Sequence, residues 1–128
     1  LKRDWMDGYV TKVAGKSYEI SKVQEVFEKL INRLNVKLED KGQPAIKFDK
    51  EKNEIILTDC IISFKENGHV LKLSKRNTDN RALMGELSVF DNLTQYTLKS
   101  TGGHDIGSSE DIDEAIAYAL RHALLELR

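Results

Sequence analysis

The sequence predicts an α+β domain: an antiparallel meander of about five strands, flanked by amphipathic helices from both ends of the chain that pack on one face. Three observations carry this. Apolar residues recur at helical spacing in residues 20–38 and again in 112–127, whereas between these segments they alternate in short runs broken by Asn, Asp and Gly. The order is helix, helix, strands, helix, without the strand–helix alternation of a parallel sheet. With 128 residues, 40% of them hydrophobic and 32% charged, a single domain can bury its own core without metal or disulfide staples.

The elements follow in order. In "DWMDGYVTKV", Trp5, Tyr9, Val10 and Val13 stand at helical offsets. Gly8 weakens a helix there and "YVTKV" also suits a strand; a short helix is the preferred reading. From Ser17 or Ser21 a long helix places Ile20, Val23, Phe27, Leu30, Ile31, Leu34 and Leu38 on one face. Ser21 with Gln24 has the spacing of a capping box, and Gly42 and Pro44 mark the stop. The runs "AIKFD", "EIILTDCIISFKE", "HVLKLSK", "ALMGELSVF" and "TQYTLK" read as strands. Asn67-Gly68 predicts a hairpin between two of them. A last helix, from Ser108 or Ser109 onward, aligns Ile112, Ile116, Ala119, Leu120, Ala123 and Leu127. Small secretion-chaperone-like proteins and helix-grip ligand binders share related layouts, a likeness of fold alone.

Composition bounds the function. Twenty basic and twenty-one acidic residues give a net charge of −1, without the basic field of a nucleic-acid or anionic-membrane binder. The acidic excess lies in residues 100–128, which hold two basic and six acidic groups. No apolar run reaches the roughly 18 residues of a membrane span and no leader pattern opens the chain, so a soluble protein is expected. Cys60 lies in the apolar run "IILTDCIISF" with no second cysteine to pair with. That fits a core thiol and a reducing, cytoplasmic compartment.

The stretch "STGGHDIGSSEDIDEA" invites three readings. His104-Asp105-Ile106-Gly107 resembles the signature of the HD-domain phosphohydrolases over four residues. The resemblance implies a catalytic metal held by the adjacent His and Asp, with further His and Asp ligands from other helices of an all-helical domain. Here "TGG" precedes the pair, Ser108 stands where a Lys commonly follows, and the remaining histidines are His69 and His122. Gly102, Gly107, Ser108 and Ser109 also match the glycine and hydroxyl positions of a phosphate-binding loop, with Ser108 in place of its lysine. Asp105, Glu110, Asp111, Asp113 and Glu114 would repel a nucleotide. The third reading accounts for more: a glycine-rich passage from strand to helix, capped by Ser108 with Asp111, whose acidic first turn suits the helix dipole. His104, Asp105, Ser108 and Ser109 are the ligand-loop candidates, and no metal or cofactor is expected.

Two further groups stand out. Lys72, Lys75, Arg76 and Arg81 form a local basic run suited to phosphate or an acidic partner, though without interleaved aromatics to stack on bases. On the last helix Ala115, Tyr118, His122 and Leu125 make a second apolar strip. Either loops or the "DWMDGYV" segment cover it, or it faces a partner. No nucleophile, base and acid assemble from the spacing, and Cys60 lacks the cationic surroundings that activate a thiol. The expectation is a small non-enzymatic protein that binds a protein partner or its own copy through Tyr118, His122 and Leu125. A ligand-binding or catalytic domain, with a cavity between sheet and last helix and His104 at its mouth, is the alternative. Nucleic-acid binding through residues 72–81 ranks below both.

Overall fold

A computed structural model describes residues 4–127. Helix α1, Trp5–Ala14, forms where its spacing indicated. Asp4 caps it by accepting the Asp7 N–H at 3.0 Å, while the Asp7 carboxylate accepts the Asp4 N–H at 3.1 Å, and Gly15 ends it at φ +73°. Helix α2, Ile20–Asp40, begins differently from the expected Ser21–Gln24 box. Glu19 occupies its cap without a side-chain bond, and the Gln24 amide donates instead to the Lys50 carbonyl at 2.9 Å and to Asn53 Oδ1 at 2.7 Å. A tertiary partner has taken the side chain that would have served the cap. Gly42, at φ +68°, turns the chain out of α2 as expected.

Among the described residues seven strands follow rather than five: β1 Lys47–Asp49, β2 Glu54–Ile56, β3 Cys60–Asn67, β4 Val70–Asn77, β5 Leu83–Asp91, β6 Tyr96–Ser100 and β7 Asp105–Ser109. Each pairs antiparallel with the next, so the order across the sheet is the order along the chain. The run 54–66 divides because the chain reverses through residues 57–59, with the Leu57 N–H bonded to the Cys60 carbonyl at 2.9 Å and Ile56 facing Ile61. Both arms are apolar on their core side, which hid the reversal from a reading of period alone. The second addition is β7, treated below. The hairpin at Asn67-Gly68 forms one residue later than expected: Asn67 still pairs with Val70, and Gly68, at φ +61°, leads the two-residue turn.

Helix α3, Ile112–Leu125, lies across β4 to β7 and beside α2. The pleat sends Ile55, Ile62, Phe64, Leu71, Leu73, Leu87, Val89 and Leu98 to one face, where Val23, Phe27 and Ile31 of α2 and Ala115, Ile116, Ala119, Leu120 and Ala123 of α3 meet them. Ala115, Ala119 and Ala123 recur every fourth residue, and their small side chains let α3 settle close to the sheet. Phe27 and Phe64 stack with centroids 4.6 Å apart, so a Phe27→Ala truncation removes one of the largest packed groups, at a cost of about 3–5 kcal/mol. The opposite face is polar: Ser63, Lys65, Lys72, Ser74, Arg76, Glu86, Ser88, Thr97 and Lys99 alternate with the core set. Thus α2 and α3 share one face, while α1 stands apart from both.

Candidate functional site

The "HDIG" stretch is not a loop into a helix. Gly102 and Gly103, at φ +93° and +81°, turn a hairpin between β6 and β7, and Asp105–Ser109 forms the strand at one edge of the sheet. His104 is exposed at the end of that turn, where its backbone carbonyl accepts the Ser100 N–H at 2.9 Å. Asp105 is exposed and pairs with Lys99 at 3.6 Å. Ser108 is exposed opposite Thr97. Ser109 is buried and serves the helix start: its hydroxyl accepts the Asp111 N–H at 3.0 Å and donates to Glu114 at 2.9 Å. The cap of α3 is therefore Asp111, which accepts the Asp113 N–H at 2.9 Å, three residues beyond the expected Ser108. A β-strand separates the glycines from the helix N-terminus, so the parts of a phosphate cradle do not meet. Nor do those of a metal centre: among the described residues no three His, Cys, Asp or Glu side chains converge.

The basic run is dispersed. Lys72 and Arg76 share the polar face of β4, where Lys72 pairs with Glu86 at 2.9 Å. Arg81, in the β4–β5 turn at φ +56°, pairs with Glu54 at 3.1 Å. Lys75 points to the other face and is 7% exposed; its ammonium donates to the carbonyls of Ala123 at 2.9 Å and Leu127 at 2.7 Å. Alternation along a strand places neighbours in sequence on opposite sides of the sheet, and it divides this run into a surface pair and an internal cap.

The strip on α3 is divided as well. Ala115 is fully buried. Tyr118 and His122 line a depression of about 220 Å³ together with Ile106, Gly107 and Ser108 of β7. There His122 bonds Glu126, and the Arg121 guanidinium lies 5.6 Å from the Tyr118 ring. Leu125 points the other way, into a groove of about 290 Å³ between α2 and α3. Leu30, Leu34, Leu120, Leu124 and Leu125 supply its apolar surface, and Arg33, Lys37 and Arg121 supply its charge. The space expected between sheet and α3 is filled by Ala115, Ile116, Ala119 and Ala123.

Among the described residues the most exposed apolar surface is on α1, which includes the segment weighed above as one cover for the strip on α3. Trp5 is 77% exposed and Val13 69%, with Met6, Tyr9 and Val10 also exposed. At 100° per residue these five side chains fill one arc of about 140° on the helix. Gly8 lies outside that arc, and there the helix rests on the turn after β5: a Cβ at Gly8 would stand 2.3 Å from the Leu93 carbonyl oxygen. The glycine that weakens α1 in isolation is thus required by a close backbone approach. Leu93 itself holds φ +77°, and its N–H is bonded to Asp91 at 2.8 Å. The helical spacing of Trp5, Tyr9 and Val13 was visible in the sequence; that the arc would point outward was not.

No protein-family model, curated protein or solved structure matches the chain, so its functional reading rests on these surfaces. Among the described residues no helix is long and apolar enough to cross a membrane.

Proposed function

We propose that the chain is a small non-enzymatic protein that acts by binding protein, with α1 as its main contact element. The observation that carries this is the outward apolar arc of Trp5, Met6, Tyr9, Val10 and Val13 on a capped helix. Such a contiguous patch with two large aromatics is the composition of an interface centre and an expensive one to leave in water. The helix-in-groove mode of recognition uses this type of face.

Tyr118, His122 and Leu125 remain secondary candidates, because each borders a depression that a partner could fill. The nucleic-acid reading loses support from the inward turn of Lys75 and the ion pairs of Lys72 and Arg81. A Trp5→Asp, Tyr9→Asp double variant tests the proposal. Both side chains are solvent-facing, so the fold and thermal midpoint should be kept, while proteins captured by the wild type in affinity purification and any self-association in sedimentation should be lost. Identical capture and identical sedimentation of variant and wild type would overturn the reading.

A further inference from the structure

We infer that β7 takes up an extended segment of a partner protein as one more strand of the sheet, and that this segment alternates lysine or arginine with apolar residues. The inference rests on the protein-binding reading for the class of partner and uses a surface other than α1.

The two edges of the sheet are finished differently. At the β1 edge, α2 supplies partners. Asn35 accepts the Ile46 N–H at 2.8 Å and donates to the Ile46 carbonyl at 3.0 Å just before the strand, and Gln24 donates to the Lys50 carbonyl just after it. At the other edge β7 pairs with β6, and among the described residues no side chain bonds the backbone of residues 105–108. Alternate residues of an edge strand aim their N–H and C=O groups outward, and these groups are the template for strand addition.

Beside this edge there is room for side chains. Opposite residues of paired strands share a face, so Gly107, opposite the buried Leu98, belongs to the core side. A Cβ there would meet nothing within 4 Å. The absent side chain opens the depression of about 220 Å³ that Tyr118 and His122 border from α3. Ile106 forms a bulge and packs on the core, and regular pairing resumes from Gly107 to Ser109. A strand laid along those residues turns every second side chain toward Tyr118 and the others toward the polar face.

Charge selects what that strand is. Asp105, in its loose 3.6 Å pair with Lys99, stands at the first residue of β7. Glu110, Asp111 and Glu114 line a depression of about 330 Å³ past the last. Among the described residues that line these two depressions, Arg121 has the one guanidinium or ammonium group, and it lies against the Tyr118 ring. Residues 100–128 hold six acidic groups against two basic. A second copy of β7 would set these carboxylates against their like, whereas cations at both ends of a foreign segment would meet them.

Binding of short synthetic peptides to the full chain tests this, read by fluorescence anisotropy and by amide hydrogen exchange. A peptide of alternating lysine and valine should bind and slow exchange within residues 105–109, and its glutamate and valine twin should bind about tenfold more weakly or worse. Asp105→Asn with Glu110→Gln, both exposed positions, should weaken the lysine peptide about tenfold and keep the thermal midpoint. N-methylation of every second peptide amide should abolish binding in one phase and spare it in the other, because one edge of the added strand faces β7. Equal binding of the lysine and glutamate peptides, equal binding in both methylated phases, or protection confined to other residues overturns the inference. So does the absence of binding up to millimolar peptide. Protection of residues 105–109 that grows with the concentration of the chain alone would assign the edge to a second copy and overturns it too. The Trp5→Asp, Tyr9→Asp variant should bind the lysine peptide as wild type does, so failure of the α1 reading and failure of strand addition are told apart.

Discussion

Lys75, on the core face of β4, holds its ammonium against the carbonyl of Ala123 in the last turn of α3 and that of Leu127 just beyond it. The last turn of a helix has carbonyls without intrahelical partners and gathers the negative end of the dipole, so a cation there stabilises both. Across β5 from Lys75 sits Gly85, where an added Cβ would lie 3.0 Å from Leu127. The missing side chain leaves room for Leu127.

Lys75→Met should therefore lower the unfolding free energy by about 2–3 kcal/mol, combining the loss of charge-assisted hydrogen bonds with orphaned helix carbonyls. Urea unfolding at constant m-value reads it. A shift below about 0.5 kcal/mol, the usual range of a surface substitution, would show that the cap contributes nothing.

Gly8→Ala should detach α1 without unfolding the sheet. The new Cβ meets backbone at Leu93, which has no flexible side chain to move aside. Trypsin should cut after Lys12 and Lys16 several-fold faster, while core stability stays within about 0.5 kcal/mol because α1 adds little to the core. Unchanged cleavage would mean that the approach at Leu93 does not hold the helix.

Acid should weaken one exposed pair on the polar face. The hydrogen bond from Lys72, with help from Ser74, holds the Glu86 carboxyl below its ordinary value of 4.5. A folded-state value below the unfolded one means stability that is full above the ordinary value and lost as pH falls through the folded one. The gap in urea midpoint between wild type and Lys72→Met should then narrow from pH 7 to pH 3. A gap constant across that range would assign the effect of Lys72 to packing of its stem.

Cys60 should be silent until the protein opens. Burial, and then the neighbouring charge of Asp59, raise its thiol above the ordinary value, and the thiolate is the reactive form. Labelling by an aromatic disulfide at pH 8 should follow the opening rate in buffer and become immediate in urea. Rapid stoichiometric labelling of the native protein would contradict the buried placement.

Much of the fold was legible. The face of α2 with Val23, Phe27 and Ile31, the face of α3 with Ile116, Ala119 and Ala123, and the β3–β4 hairpin all follow from local period and turn chemistry. The reversal after Ile56 was not, because residues 57–59 carry no glycine or proline and apolar strands stand on both sides. Strand β7 was not, because "DIGSS" has low strand propensity and is a strand through its pairing with β6. At the candidate site, the sequence offered His104 as a ligand-loop candidate, which proves to be an exposed turn residue, and named the "DWMDGYV" segment as one of several covers for the strip on α3.

The sequence by itself determined the α+β class, the two packed helix faces and the helical character of α1, since these depend on residues within a few turns or strand positions of each other. Tertiary structure alone decided that Lys75 turns inward to finish α3, that Gly8 is needed against Leu93, and that the Trp5–Val13 arc faces outward. Each depends on what lies across a pairing or a turn from distant parts of the chain, and a local period specifies a face without specifying what that face meets.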